Sequence, residues 1–383
     1  MKIFKTSYII IALLIGICAV SVFWAMNKNT AEEIFPEQAA EISRSTTTPA
    51  DINATSQSPA TQGEAVDAVE ETSKEVAGGD DNYVFDIEAD PHMDEQSDSK
   101  IYTQTLKNIV SDKPAFLIDL GDIFMVDKLS DKSEANIKAR YDLMKGYYDL
   151  LGSIPLYFAM GNHDGEVGWD KLYTKNYRLQ YFPKETYDKN YYSFEKENAL
   201  FVVLDPYMYT TTKPNENGWD WTLGKAQYDW LKKTLESSNA KYKFVFIHQL
   251  VGGDNQGRGG IEFAKLYEWG GNNIDGSYGF TLNRSGWGTP IHQLLVDNKV
   301  DVVFKGHDHF FAKQILNGVI YQTVPQPSHP GANINTAEEY GYLNGVILGG
   351  SGYLRVTVMD TKALVEFVKT NSTKDVADSY SIQ

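Results

Sequence analysis

The chain has 383 residues, 42% of them hydrophobic and 13% aromatic, enough for a folded core in one large domain or two ordinary ones. A formal charge of −16 argues against a protein that wraps nucleic acid or anionic lipid through a basic surface, though not against one that binds a small anion at a local cation. Cys18 is the only cysteine, which excludes an intramolecular disulfide.

Lys2 and Lys5 precede Tyr8–Met26, a stretch without charge. Its length lies between a signal-peptide core and a full membrane span. Ala19-Val20-Ser21 offers a cleavage site, but Phe23 and Trp24 suit an interfacial anchor. Residues 1–26 therefore read as a signal anchor or a signal peptide, the uncleaved anchor being preferred. A lipoprotein is disfavoured, because Ile17 precedes Cys18 where a small residue is expected. With the lysines inside, the rest of the chain is expected outside the cytoplasmic membrane, anchored or secreted. Residues 27–81 are Ala, Thr, Ser, Glu, Gln and Pro with few large apolar side chains, so they cannot bury enough surface to order themselves. They read as a disordered linker with a mean reach on the order of 40 Å.

From residue 82 to 383 the pattern is that of a folded domain. Short apolar runs at Tyr83–Ile87, Ala115–Leu120, Ile154–Met160, Leu200–Leu204, Tyr242–Ile247 and Val300–Phe304 predict buried strands. Helical spacing recurs over Ile101–Val110, Ala135–Leu151, Lys225–Leu235 and Ile291–Val296. "VIYQTV", "YLRVTV" and "ALVEFV" after Gly318 read as consecutive strands of an antiparallel edge. The alternation predicts an α/β layered domain with mixed sheets.

The chemistry sits just past the strands. Tyr83–Ile87 runs into Asp90-Pro91-His92. Ala115–Leu120 runs into Gly121-Asp122, and Ile154–Met160 into Gly161-Asn162-His163-Asp164. Tyr242–Ile247 is succeeded by His248, and Val300–Lys305 by Gly306-His307-Asp308-His309. Five strands thus end in metal-ligand residue types, most beside a glycine that permits a sharp turn. In sheet-based α/β proteins, sites form at strand carboxyl ends.

This ordered set resembles the calcineurin-like metallophosphoesterases over about 82–330, in particular a bacterial, extracytoplasmic branch, with a more distant likeness to purple acid phosphatases. The resemblance implies a four-layer α/β/β/α sandwich of two mixed β-sheets with a dinuclear metal site at strand C-terminal ends. It implies two divalent transition-metal ions, Mn, Fe, Zn, Ni or Co. Asp90, His92 and His309 would hold one ion; Asn162, His248 and His307 would hold the other; Asp122 would bridge them. A hydroxide between the ions would attack phosphorus, and His163 would stay off the metals to serve the leaving group. Asp164 and Asp94 are candidates to orient His163. Met125 stands where purple acid phosphatases carry a tyrosine, so their charge-transfer colour is not expected. "GDIFMVD" lacks the Asp-Arg-Gly of protein phosphatases.

Three residues are candidates for substrate binding: Arg258 in "GGDNQGRGG", Arg284 in "LNRSGWG" and His329 in "VPQPSHPG". The acidic run Asp94–Asp98 favours a helix start, and His292 reads as structural. The functional expectation is metal-dependent hydrolysis of a small phosphate ester, with membrane contact only through the N-terminal segment. The alternatives are a non-catalytic metal-containing binding module at the cell surface, or a phosphodiesterase or nuclease on the same scaffold. The acidic charge and the lack of a basic strip disfavour nucleic acid.

Overall fold

A computed structural model of the chain describes residues 82–93, 97–125, 129–164, 181–182, 190–211, 217–252, 258–331 and 334–383. The expected signal segment and linker lie outside the described residues, as do Asp94 and positions 253–257 of the glycine-rich stretch. Among the described residues no helix is long and apolar enough to cross a membrane.

Two sheets form the centre. The first contains β1 (Tyr83–Glu88), β2 (Leu117–Asp119), β3 (Leu156–Phe158), β13 (Gly352–Val358), β14 (Ala363–Lys369) and β15 (Val376–Ile382), in the order β15-β14-β13-β1-β2-β3. Strands β1, β2 and β3 run parallel, and β13 to β15 add an antiparallel edge. The second contains β4 (Tyr192–Lys196), β5 (Ala199–Val203), β8 (Tyr242–Ile247), β9 (Val302–Lys305), β10 (Phe311–Leu316), β11 (Val319–Thr323) and β12 (Val346–Leu348), in the order β12-β10-β11-β9-β8-β5-β4. Here β11, β9, β8 and β5 are parallel, with antiparallel strands at both edges. Two short strands, β6 (Met208–Tyr209) and β7 (Trp221–Thr222), form a separate pair.

Alternation along each strand decides which face is buried where. Phe85, Ile87, Ile118, Leu354 and Val356 of the first sheet meet Phe201, Phe244, Phe246, Val302 and Phe304 of the second, and all are buried. The opposite face of the first sheet packs on α1 (Ser99–Asp112) and α2 (Glu134–Tyr148) through Tyr102, Leu106, Tyr141 and Met144. The outer face of the second packs on α3 (Lys225–Ser237) and α4 (Ile291–Asp297) through Leu231, Leu235, Leu294 and Leu295. The result is the expected α/β/β/α sandwich. Asp98 caps α1, its carboxylate accepting from the amides of Lys100 and Ile101, while positions 94–96 of the acidic run lie outside the described residues. His292 is structural, lying 2.8 Å from the Tyr321 hydroxyl and 3.1 Å from Asn317 Oδ1.

One expectation is corrected. "VIYQTV" does not join "YLRVTV" and "ALVEFV" in one antiparallel edge. Its strand β11 lies in the other sheet, parallel to β9, whose residues Val302–Lys305 are buried throughout as a doubly covered parallel strand requires. The third strand of that edge is β15, whose exposed, polar-rich sequence hides its pairing.

The helix-facing side of β1 carries acids, not apolar groups. Asp86, Glu88 and Asp119 are all fully buried. Glu88 and Asp119 lie opposite each other in register. The Tyr102 hydroxyl donates to Glu88 at 3.0 Å, and the Tyr148 hydroxyl to Asp119 at 2.5 Å. Burial lifts Glu88 to about 7, against the pull of its hydrogen bonds with Tyr102 and Asp119. Folding therefore favours its neutral form. The stability it contributes is complete below about pH 4.5 and is lost as pH rises through about 7. Glu88→Gln should accordingly gain stability over the parent as pH rises from about 5 to 8, and gain nothing near pH 4. Urea unfolding with metal chelated measures this, and a gap independent of pH would contradict it.

Candidate metal centre

Five strand ends converge. β1 and β2 of the first sheet deliver Asp90, His92 and Asp122; β3 delivers Asn162 and His163. β8 and β9 of the second deliver His248, His307 and His309. Asp90, His92 and His309 form one group, and Asp122, His248 and His307 another, with ligand atoms in each group within 4.8 Å of one another. Asn162 Oδ1 lies 3.1 Å from His248 Nε2.

The local backbone explains how strands with outward registers aim side chains at one point. Asp90, His92, Asp122, His307 and His309 have φ of 59°, 43°, 59°, 74° and 67°. Non-glycine residues seldom occupy this left-handed region. Each turn is fixed by hydrogen bonds. The Asp90 amide donates to Gly121 O at 3.0 Å, and the His92 amide to Asp122 O at 3.0 Å. Asp119 Oδ1 accepts from the Gly121 amide at 2.8 Å, which ties the buried acid pair to the Gly121-Asp122 turn. Gly306 has no room for a side chain: a Cβ there would lie 2.7 Å from Asp90 Oδ2 and 3.0 Å from Ala89 Cβ. That close approach lets the His307 amide donate to Asp90 Oδ2 at 2.8 Å, joining the two sheets.

Both carboxylates are half committed. Asp90 gives Oδ2 to His307, and Asp122 gives Oδ1 to the His163 amide at 2.7 Å. Asp90 Oδ1 and Asp122 Oδ2 are buried without a hydrogen-bond donor. Around them stand imidazole nitrogens: His92 Nε2 is 3.2 Å from His309 Nε2, and His248 Nε2 is 3.3 Å from His307 Nδ1 and 3.1 Å from Asp122 Oδ2. His248 Nδ1 donates to Leu120 O at 2.9 Å, which aims Nε2 inward at the centre. Burial opposes charge on these groups, yet His248 and His309 hold the Asp90 carboxyl well below its ordinary range. Against burial, the Asp122 and Asp90 carboxylates lift His248 to about 9. Burial, His248 and Arg258 push His307 the other way. Buried carboxylate oxygens and imidazole nitrogens gathered this closely suit a divalent cation with mixed N/O preference.

A family model for calcineurin-like phosphoesterases matches residues 85–311. The chain belongs to this family. No curated protein matches it. Among solved structures it is similar to a purple acid phosphatase from yellow lupin seeds, with 18% identity, TM-score 0.53, and coverage of 79% of this chain and 54% of that one. It thus spans about half the length of the lupin protein. It is also similar to a dimetal phosphatase from Danio rerio, with 12% identity, TM-score 0.50, and coverage of 79% and 98%. A third is the anchor protein in the inner membrane complex of Plasmodium, with 14% identity, TM-score 0.50, and coverage of 79% and 89%. At these identities the likeness is one of fold.

In this calcineurin-like phosphoesterase the ligand groups open onto a cleft of about 310 Å³. His163, Arg258 and His329 line it, as do Met125 and Tyr340. The His163 ring lies 5.6 Å from that of His92. Asp164 does not sit free to orient His163. Its carboxylate accepts from the amides of Gly161, Asp122 and Ile123 at 2.8, 3.0 and 2.9 Å, holding two ligand loops together. Arg284 is a second correction. It is buried outside the cleft, paired with Glu268 and donating to the carbonyls of Trp219 and Trp221 at 2.8 Å each. Its guanidinium fastens β7 to the helix bearing Glu268.

Asp308 is a supporting residue that the sequence pattern does not single out. Buried between two histidines, it accepts from Lys305 Nζ at 2.7 Å and the Tyr342 hydroxyl at 2.5 Å. Arg258 joins the same network at 3.3 Å and donates to His307 O at 2.6 Å. The only sequence signal is its place in His-Asp-His; Tyr342 arrives through the fold alone.

Gly161 offers a test. A Cβ there would lie 2.1 Å from the Asp122 amide nitrogen and 2.2 Å from its Oδ1. Gly161→Ala should displace Asp122 and weaken metal binding on the order of 10–100-fold while the circular dichroism spectrum is kept. Gly146→Ala, in α2 with nothing within 4 Å of its Cβ, is the control and should bind metal as the parent does. Undiminished metal affinity in Gly161→Ala would contradict the geometry.

Proposed function

We propose that this phosphoesterase hydrolyses small phosphate esters with two divalent transition-metal ions. Asp90, His92 and His309 hold one, Asn162, His248 and His307 the other, and Asp122 lies between them. The observation that carries this reading is the pair of donor-free carboxylate oxygens facing four imidazoles at the floor of an open cleft. Bound ions of this kind supply Lewis acidity toward a phosphoryl oxygen and a water acidic enough to ionise near neutral pH.

The chain's own groups do the rest. His163 stands on the cleft wall, held by the hydrogen bond its backbone amide donates to Asp122 Oδ1, and gives a proton to the departing oxygen. Arg258, anchored on His307 O and stacked 4.3 Å over the Tyr340 ring, presents fixed positive charge to the phosphate. His329 faces the same cleft. Lys2, Lys5 and the uncharged Tyr8–Met26 support action outside the cytoplasmic membrane.

His163→Ala should keep about two equivalents of metal yet lose activity on the order of 10²–10⁴-fold, most for esters with poor leaving groups. Asp122→Asn should lose metal and activity together. Elemental analysis beside a phosphate-ester assay separates the two. Equal metal loss in both variants would remove His163 from its role, and a fully loaded parent inert on a broad ester panel would favour the binding module. For location, protease added to intact cells should release a folded fragment beginning near residue 82, and retention of the domain in the cytoplasm would refute export.

A further inference from the structure

A second hollow of about 250 Å³ adjoins the metal cleft. The two share a wall: Arg258 and Tyr340 line both. Beyond that wall the chemistry changes. The metal cleft is lined by imidazoles and acids, whereas the second hollow is lined by Phe263, Leu266, Tyr267 and Ile274. Ile274 is 77% exposed there and carries the apolar surface out to the rim of the hollow.

The apolar side is built and held. Tyr267 has φ of 48°, a left-handed backbone that is an outlier for a bulky residue and marks a constrained position. Its ring lies where Gly218 could not carry a side chain: a Cβ there would be 2.3 Å from Tyr267 Cε2. Trp219 meets it edge-on at 5.8 Å. Gly259, with φ of 117°, passes between Phe263 and Tyr340; a Cβ on it would lie 3.0 Å from Phe263 Cβ and 3.1 Å from Tyr340 O. The hollow is therefore a fixed aromatic and aliphatic recess.

Its charge is as selective as its surface. The acids at its edge are Glu262 and Glu339. Among the described residues lining it, the one cation is Arg258, whose guanidinium is engaged by His307 O, Asp308 and the Tyr340 ring. A second phosphate or a carboxylate on the substrate would meet two carboxylates there.

We propose that this hollow receives the alcohol half of the ester and selects an apolar, preferentially aromatic alcohol over an anionic one. The proposal rests on the phosphate-ester reading of the metal cleft. With phosphate at the metals and Arg258, the alcohol half would extend over the edge of the Arg258–Tyr340 wall, which both hollows share, to reach the recess. A cavity of about 150 Å³ accepts benzene, so this one has room for a phenyl ring and a short linker. The inference disfavours nucleoside di- and triphosphates and other polyanions as substrates.

Three esters with similar leaving-group acidity test it on the manganese-loaded full chain: propyl, 3-phenylpropyl and 3-carboxypropyl phosphate. The phenylpropyl ester should exceed propyl by about 10–100-fold in kcat/KM, the gain for burying a phenyl group. The carboxypropyl ester should fall below propyl. In Ile274→Glu the phenylpropyl-to-propyl ratio should drop toward one, and in Glu339→Lys the carboxypropyl-to-propyl ratio should rise several-fold. The corresponding phosphonates, which cannot be hydrolysed, are titrated in parallel by calorimetry. Tighter binding of 3-phenylpropylphosphonate than of propylphosphonate without turnover of any ester would uphold the recess and sink the hydrolase reading. Equal affinities of the two phosphonates, with equal kcat/KM for the two esters, would overturn the recess and leave the hydrolase reading standing.

Discussion

Everything at the head of this sandwich depends on one repulsion. Buried carboxylate oxygens and imidazole nitrogens point at a common centre, at separations near 3 Å. A protein interior does not tolerate such an arrangement without compensation, because a buried charge needs an opposite charge or donors. The surrounding structure shows how firmly the arrangement is kept. Each carboxylate spends one oxygen on a backbone amide and withholds the other, and His248 spends one nitrogen on a carbonyl and withholds the other. Half of each group's bonding capacity fixes its direction, and half is left for the centre.

That direction is set by backbone conformations that alanine-like residues avoid. Five of the converging residues adopt left-handed φ, each at a cost on the order of 1 kcal/mol or more. The cost is sustained from outside the site. Two aromatic-rich sheets clamp the strands from which the turns emerge. Below the turns, Asp164 gathers three amides, Asp119 gathers a fourth, and Asp308 gathers a lysine, a tyrosine and a glycine amide. These three acids touch the ligand loops without contributing to either ligand group, and they convert strain into geometry.

The strands and their terminal ligands are legible in the sequence because both signals are local. An apolar run of four to eight residues, then glycine with aspartate or histidine, reads without knowing the neighbours. The separation of ligands into two groups comes from family resemblance, and the geometry gathers the same residues. The hidden features are those that depend on distant chain. Glu88 and Asp119 come to lie side by side in the interior only when β1 and β2 align. Tyr342 and Lys305 reach Asp308 only through the fold. Arg284 misleads because glycine and tryptophan around it resemble an open loop, whereas Glu268 and two carbonyls consume its guanidinium. Strand β11 misleads because pairing partners in a parallel sheet are never adjacent in sequence.

The sheet-to-sheet contact at Gly306 has a consequence for the life of the chain. Asp90 and His92 precede all the other proposed ligands, and His309, 217 residues after His92, comes last. No short segment holds a complete set for either group. The entropy of closing such loops must be met by core packing before the ligand atoms meet. A nascent chain interrupted before β9 would have both sheets begun and neither ion group finished. An ion that needed all the residues of either group could be held only after β9 had joined the second sheet.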